Sequence, residues 1–175
     1  MNNPLKLLLE KLNLLNFKLF IIYLLIIKMN SLSSSDIKNI LSHYKLENQL
    51  ISINYKDKIE LSSTGFYIVN LDSSSTKRNG THWCVFYFSP RLSLYFDPFG
   101  FTPPKEIEKL LNKSSSGWYY SNIQIQDISE SSCGYYCIAF IHEKVKNKNS
   151  YITFLNKFVN NRIDNEKDLY NILYT

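Results

Sequence analysis

A cysteine at the start of a predicted helix is the side chain in this sequence best suited to nucleophilic chemistry. Cys133 follows a polar linker at 127–132 and begins a strongly apolar helix that we predict over Cys133–Val145. The N–H groups and the positive dipole end of a helix N-terminus stabilise a thiolate. Gly134 would leave room there for a substrate backbone. A Cys-Gly pair alone is also typical of a buried structural cysteine.

His82 is the histidine that the sequence places best as a base for this thiol. It lies near the start of a predicted strand at 81–88, whereas His142 lies nine residues after Cys133 on the same helix. An imidazole beside a thiol can take its proton and activate the sulfur. A lone histidine at a strand end is also typical of an ordinary surface position.

Asp97 is the carboxylate that we expect beside His82. It ends the next predicted strand, at 92–96, and pairing Phe88 with Leu92 would bring the two strand ends together. A carboxylate in that place holds the imidazole in the correct tautomer and stabilises the imidazolium. An aspartate that caps a strand-to-turn junction is the structural alternative.

Gln126 is a candidate oxyanion donor. It lies seven residues before Cys133. Its amide N–H₂ could donate to a developing oxyanion together with the backbone N–H of Cys133. A glutamine in a strand can equally be an exposed surface residue.

A zinc site is an alternative use of the same residues. Its four ligands would be His82 and Cys84 from one strand, and Cys133 and Cys137 from one helix face. The chain has no Cys-x2-Cys pair, and structural zinc sites usually draw their ligands from short turns. We therefore expect no metal, and we expect Cys84 and Cys137 to be dispensable for the chemistry of Cys133.

The elements that must position these side chains alternate between helix and strand. Runs rich in β-branched and aromatic residues, separated by turn residues, predict three strands at hairpin spacing, at 66–71, 81–88 and 92–96. Further strands are predicted at 51–55 and 118–126, and helices after Ser33 and at 105–112, 133–145, 151–163 and 167–174. This order indicates an α+β fold.

Length and composition fit one globular domain. The chain has 175 residues, of which 45% are apolar and 15% aromatic. Three cysteines cannot form a disulfide framework and suit a reducing compartment. The net charge is +5, but the residues after 30 carry only +2, which is weak evidence for nucleic-acid binding.

Residues 1–28 differ from the rest. They carry four lysines against Glu10 and a nine-residue apolar run at 19–27, whereas a membrane-spanning helix needs roughly 20 apolar residues. Three interpretations stay open: an extension or upstream start before Met29, a membrane-surface helix or short anchor, and a secretory signal. Free thiols argue against export. We place the hydrophobic, basic extension at 1–28 and the folded domain at 29–175.

Taken together, the motifs closely resemble the adenovirus endopeptidase (adenain) family of cysteine proteases, found in adenoviruses, virophages and Polinton-type elements. The resemblance runs from about 31 to 139 and keeps the family's order and spacing. The Gln126 to Cys133 interval matches it, whereas ubiquitin-like-protein proteases usually have it one residue shorter. The motifs are Gly80-Thr81-His82-Trp83, Ser89-Pro90-Arg91, Tyr95-Phe96-Asp97-Pro98-Phe99-Gly100-Phe101, Gln126 and Cys133-Gly134.

The resemblance implies a papain-like α+β fold with a central, mostly antiparallel sheet flanked by helices. It implies a cysteine endopeptidase in which Cys133 is the nucleophile, His82 the base, Asp97 the orienting acid and Gln126 the oxyanion donor. It implies cleavage of viral or mobile-element capsid precursors by a monomer that requires no cofactor, with DNA as an activator. The expected location is intracellular, in the virion or host nucleus, with membrane association through 1–28.

Two departures from the family pattern stand out. Adenoviral members carry Glu where this chain has Asp97. They are also activated by a peptide joined through a cysteine between the acid and the glutamine, and residues 98–125 contain no cysteine. Two alternative functions remain: a protease that deconjugates ubiquitin-like proteins, and a non-catalytic membrane- or DNA-binding module on the same scaffold.

Overall fold

A single mixed sheet forms the centre of the protein. The computed structural model describes residues 29–76, 82–158 and 162–174, so the extension at 1–28 lies outside the described residues. The strands are β1 (Leu50–Tyr55), β2 (Gly65–Asn70), β3 (Trp83–Phe88), β4 (Ser93–Phe96) and β5 (Trp118–Tyr120). They lie in the order β1-β2-β3-β4-β5. The pairings β2–β3 and β3–β4 are antiparallel, and the outer strands β1 and β5 each pair in parallel.

Helices cover both faces of this sheet, and the predicted α+β fold is confirmed. They are α1 (Ser34–His43), α2 (Lys105–Leu111), α3 (Cys133–Val145), α4 (Tyr151–Leu155) and α5 (Arg162–Tyr174). Side chains alternate across a strand, so β3 sends Trp83 and Val85 to one face and Cys84 and Phe86 to the other. The first face packs with α1, α3, α4 and α5, and the second packs with α2.

The predicted starts of α1, α2, α3 and α4 are confirmed, whereas α5 begins at Arg162, earlier than the predicted start at 167. Ser33 caps α1 in a capping box, in which Asp36 N donates to Ser33 Oγ at 3.2 Å and Ser33 N donates to Asp36 Oδ2 at 2.9 Å. Helix α3 begins at Cys133, and most of its residues are buried, as its apolar sequence requires. None of the helices in the described parts of the chain is long and apolar enough to span a bilayer.

The hairpin register differs from the predicted one by a single residue. Tyr87 lies opposite Leu94, so the predicted pairing of Phe88 with Leu92 is wrong. Buried serines at the turn account for the shift. Ser93 Oγ accepts from Ser89 N at 3.1 Å and lies 2.7 Å from Ser114 Oγ, which anchors Ser93 inside the hairpin. A one-residue slip exchanges the faces of a strand, so this register decides which side chains meet Asp97.

The strand predicted at 118–126 is also too long. β5 ends at Tyr120, and the chain then leaves the sheet to cross the turn after β4. Backbone N–H groups of Ile125 and Gln126 both donate to Pro98 O, at 3.0 and 3.1 Å. The predicted helix at 151–163 is likewise shorter, because α4 stops at Leu155 and a 3₁₀ turn follows.

Leu32 connects the start of the domain to the helix that carries Cys133. It is buried, and its carbonyl accepts from Trp83 Nε1 at 2.7 Å. A Cβ on Gly134 would lie 3.2 Å from the Leu32 side chain. Gly134 therefore makes room for Leu32, and the expectation that it makes room for substrate is wrong.

We expect Leu32→Ala to destabilise the domain by about 2–3 kcal/mol, because it empties a site packed against the first turn of α3. Urea unfolding followed by circular dichroism measures the change. Leu92→Ala is the matched control, because Leu92 is 38% exposed, and should cost within about 0.5 kcal/mol. Equal effects of the two substitutions would contradict the role of Leu32.

Candidate active site

His82 and Asp97 form a buried pair at one end of the sheet. His82 Nε2 lies 2.8 Å from Asp97 Oδ1, and the Asp97 side chain is completely buried. Phe99 N donates to the same oxygen at 2.8 Å. The contact places the imidazole proton on Nε2 and leaves Nδ1 able to accept another. The structure thus brings together the two residues that the sequence paired, despite the shifted register.

The turn after β4 fixes the carboxylate in this position. Gly100 N donates to Asp97 O at 2.9 Å, and Gly100 has a φ of +74°. A Cβ at Gly100 would lie 2.8 Å from the backbone of Asn122. Glycine is therefore required both by the backbone angle and by the segment that crosses above the turn.

Phe99 supports the imidazole from its face. The two rings stack with centroids 4.3 Å apart and an angle of 10° between their planes. The sequence analysis missed this role, although the aromatic residue in the Asp97-Pro98-Phe99-Gly100 turn was a signal for it. Stacking and the Asp97 hydrogen bond together restrict His82 to one ring orientation.

Cys133 is the first residue of α3, and its side chain is buried. Trp83 N donates to Cys133 Sγ at 3.4 Å. The opening N–H groups of a helix have no acceptor inside the helix, so they add positive potential at this sulfur. The Trp83 backbone donor is a second contribution that the sequence analysis missed, because it depends on how β3 meets α3.

His82 also interacts with the Cys133 thiol. Burial lowers the pKa of His82, but the hydrogen bonds to Asp97 and Cys133 and the charges of those groups outweigh it and raise the pKa to about 9. His82 Nδ1 is buried and has no hydrogen-bond partner of ordinary geometry in the described structure. A basic imidazole next to a thiol at a helix N-terminus is suited to take the thiol proton.

The raised pKa makes the stability of the domain depend on pH through His82. The ordinary pKa of 6.5 applies to the unfolded chain and a pKa of about 9 to the folded one. The stability gained from protonated His82 is therefore complete below pH 6.5 and lost as pH rises through 9. Its size is on the order of 3 kcal/mol.

We expect the free energy of unfolding of the wild-type protein to fall relative to His82→Ala between pH 6.5 and 9. Urea unfolding at several pH values measures both proteins. His142→Ala is the control, and its pH dependence should run in the opposite direction. Burial lowers the pKa of His142, so the contribution of this residue to stability is lost as pH falls. A constant difference between wild type and His82→Ala would contradict the assigned contact.

Gln126 lies beside the turn after Asp97 but makes no hydrogen bond to His82 or Asp97 in the described structure. Its side chain is fully buried, and Nε2 donates to Glu130 O at 2.8 Å. The amide has a second N–H, and Oε1 is buried without a partner in the described structure. The backbone bond to Pro98 ties Gln126 to the residue after Asp97. The oxyanion role stays a prediction.

The four residues considered as zinc ligands from the sequence do not form one cluster among the described residues. Cys137 Sγ donates to Trp83 O at 3.4 Å. Within the described residues, the metal-ligating side chains that cluster are His82, Cys84 and Asp97, whose ligand atoms lie within 4.8 Å of one another. This cluster lacks both helix cysteines and includes the carboxylate already bound to His82.

Comparison with known proteins agrees with this architecture. No protein-family model and no curated protein match the chain. The crystal structure of the ASFV pS273R protease superposes with a TM-score of 0.57 at 14% identity, covering 83% of this chain and 66% of the protease. A selenomethionine form of that protease gives a TM-score of 0.55 at 14% identity, covering 83% and 67%. The chain thus spans about two thirds of the length of this protease, and what the two share is the adenain-like α+β fold.

Proposed function

We propose that this protein is a cysteine endopeptidase with Cys133 as nucleophile, His82 as general base and acid, and Asp97 as the orienting carboxylate. The observation that carries the proposal is the 2.8 Å contact from His82 to the buried carboxylate of Asp97, beside a buried thiol at a helix N-terminus. The fold shared with a protease supports it. A structural cysteine needs neither a basic imidazole nor a buried carboxylate behind that imidazole.

Acylation would begin with transfer of the Cys133 thiol proton to His82 Nδ1. The Cys133 sulfur attacks the scissile carbonyl carbon, and a C–S bond forms while the carbonyl electrons move to oxygen. Gln126 and backbone N–H groups at the start of α3 would stabilise that oxyanion. The oxyanion then collapses, His82 donates its proton to the amine nitrogen, and the C–N bond breaks.

Deacylation would use the same groups with water as the nucleophile. His82, neutral again, takes a proton from water, and the resulting hydroxide attacks the thioester carbonyl. The C–S bond breaks, and the sulfur leaves as the thiolate beside the imidazolium. Asp97 accepts the hydrogen bond from His82 Nε2 and orients the ring through both steps.

The substrates that we propose are capsid precursor proteins of a virus or mobile element, as the family resemblance implies. Deconjugation of a ubiquitin-like protein is the nearest alternative and would use the same residues. A folded modifier is recognised through a wide docking surface as well as a cleft, whereas an unfolded precursor segment needs only the cleft. Testing both kinds of substrate therefore separates the two functions.

Mass spectrometry of new peptide termini tests the proposal. The full chain would be incubated separately with a proteome-derived peptide library, with capsid precursors of the same element, and with a ubiquitin-like conjugate. We expect cleavage of peptides and precursors that stops when iodoacetamide alkylates Cys133. Release of the conjugate alone would favour deconjugation. No cleavage, together with no labelling of Cys133, would favour the non-catalytic alternative.

On a cleaved peptide, we expect Gln126→Ala to lower kcat by about 10²–10³-fold, the usual effect of removing one oxyanion donor. Steady-state kinetics measures it, with thermal unfolding as a check on folding. Gln49→Ala, which alters an exposed glutamine, should leave kcat unchanged. An unchanged kcat in Gln126→Ala would assign the oxyanion site to backbone groups alone.

A further inference from the structure

One oxygen of the Asp97 carboxylate, Oδ2, takes part in none of the hydrogen bonds described so far. Oδ1 accepts both His82 Nε2 and Phe99 N, whereas Oδ2 is buried without a partner of ordinary hydrogen-bond geometry in the described structure. A buried carboxylate oxygen without a donor is costly. Rotation about the Cβ–Cγ bond would also move Oδ1 away from His82. A donor near Oδ2 would offset this cost and further restrain the carboxylate.

The observed hairpin register brings Cys84 to this oxygen. Val85 lies opposite Phe96, and continuing that register by one residue places Cys84 opposite Asp97. Directly opposed residues on antiparallel strands have neighbouring Cβ atoms on the same face. Cys84 is fully buried, and its sulfur lies within 4.8 Å of the ligand atoms of His82 and Asp97.

Tyr95 stands behind Cys84 on the same sheet face. Its hydroxyl is buried without a partner of ordinary geometry in the described structure, and it interacts with the Cys84 sulfur. Burial, followed by the charge of Asp97, raises the pKa of the Cys84 thiol well above its ordinary value. Burial likewise raises the pKa of Tyr95. Both groups therefore keep their protons and can donate.

We propose that Cys84 is a positioning residue of the active site, whose thiol donates toward Asp97 Oδ2 and holds the carboxylate against His82, with the Tyr95 hydroxyl donating to the Cys84 sulfur. The chain of donors runs from Tyr95 through Cys84 to Asp97 and then to His82. This inference rests on the proposed function for its effect on catalysis. It replaces the expectation that Cys84 is dispensable for the chemistry of Cys133.

NMR titration of the His82 ring protons in the full chain tests this arrangement without any substrate. Among the described residues, the titratable groups that face His82 are Asp97 and Cys133, so a loosened carboxylate should show directly in its titration. We expect Cys84→Ala to lower the pKa of His82 by about 1, corresponding to tenfold weaker proton binding. Cys84→Ser, which keeps a donor, should restore most of it, and Tyr95→Phe should give a smaller shift in the same direction.

Cys137→Ala is the matched control, because it removes an equally buried thiol that donates to Trp83 O and not to Asp97. Cys137→Ala should leave the pKa of His82 unchanged. An unchanged pKa in both Cys84→Ala and Tyr95→Phe would overturn the proposal, as would an equal shift in Cys137→Ala. These outcomes stand even if the protein cleaves no peptide.

On a cleaved peptide, Cys84→Ala should lower kcat by about tenfold or more with little change in KM, because a misplaced catalytic group costs rate more than binding. Cys84→Ser should recover most of the rate. A loss of rate that serine does not rescue, with the pKa of His82 unchanged, would mean that Cys84 only fills space. Absence of cleavage by the wild type, with the expected pKa shifts, would reject the protease function and leave the positioning intact.

Discussion

Replacing Cys133 by alanine is expected to abolish peptide cleavage, with a loss of at least about 10⁴-fold in kcat, because the acyl-enzyme cannot form without the sulfur. The thiol at the start of α3 has a donor from Trp83 N and a basic imidazole beside it. Steady-state kinetics with a fluorogenic peptide measures the loss. Thermal unfolding checks that the domain still folds, since the substitution removes one buried atom.

Cys137→Ala is the control for this substitution. Cys137 lies one helical turn further along α3, and burial raises the pKa of its thiol well above the ordinary value. Such a thiol is a poor nucleophile, so its removal should leave kcat within a few-fold. Retained cleavage in Cys133→Ala would contradict the mechanism, and equal losses in both variants would point to damaged packing.

The His82→Ala variant should be as inactive as Cys133→Ala, and the double variant should be no worse than either single one. Nucleophile and base act as a unit, so their effects on kcat are strongly non-additive. Comparing kcat/KM of the two single variants and the double variant measures this. His142→Ala is the control, because His142 packs its ring against Tyr44, at a centroid distance of 5.3 Å, and should keep its activity.

Additive losses in the double variant would mean that His82 and Cys133 contribute independently and would contradict a shared proton transfer. Partial activity in His82→Ala that increases with added imidazole would still support the base role, because the exogenous base would substitute for the missing ring. Partial activity that imidazole leaves unchanged would assign the proton to another group.

Much of the fold and the pairing of His82 with Asp97 could be predicted from the sequence. The strands β2, β3 and β4 are short apolar runs separated by turn residues, and α3 has a long apolar sequence after a polar linker. Such patterns reflect local propensity and burial, which the sequence carries directly. His82 and Asp97 lie at neighbouring strand ends, and antiparallel pairing of β3 with β4 is enough to bring those ends together.

Contacts that depend on the exact strand register, or on the exact residue at which a strand ends, could not be predicted from the sequence. The hairpin register is set by Ser93 buried against Ser114, a contact with a loop more than twenty residues away in the chain. Cys84 meets Asp97 only in that register. The true end of β5 depends on the turn containing Gly100, since the backbone after Tyr120 leaves the sheet to pass over it.

The backbone around Gln126 was not predicted. We expected Gln126 at the end of a strand, but it lies in the loop that crosses the turn after Asp97. No pattern in the sequence indicated that Leu32 fills the space beside Gly134, because the two residues belong to distant segments. Long-range packing of this kind is decided by the whole fold.

The anchoring of Cys133 from both ends of the domain has a consequence for biosynthesis. Leu32 packs beside Gly134, whereas Asn165 Nδ2 donates to Ile125 O at 2.7 Å and Glu166 accepts a hydrogen bond from the Ser132 hydroxyl. The segment leading into Cys133 is therefore held by a helix that is synthesised after it. A nascent chain exposes Cys133 before these restraints exist, so we expect the site to be complete only once α5 has been synthesised and has folded.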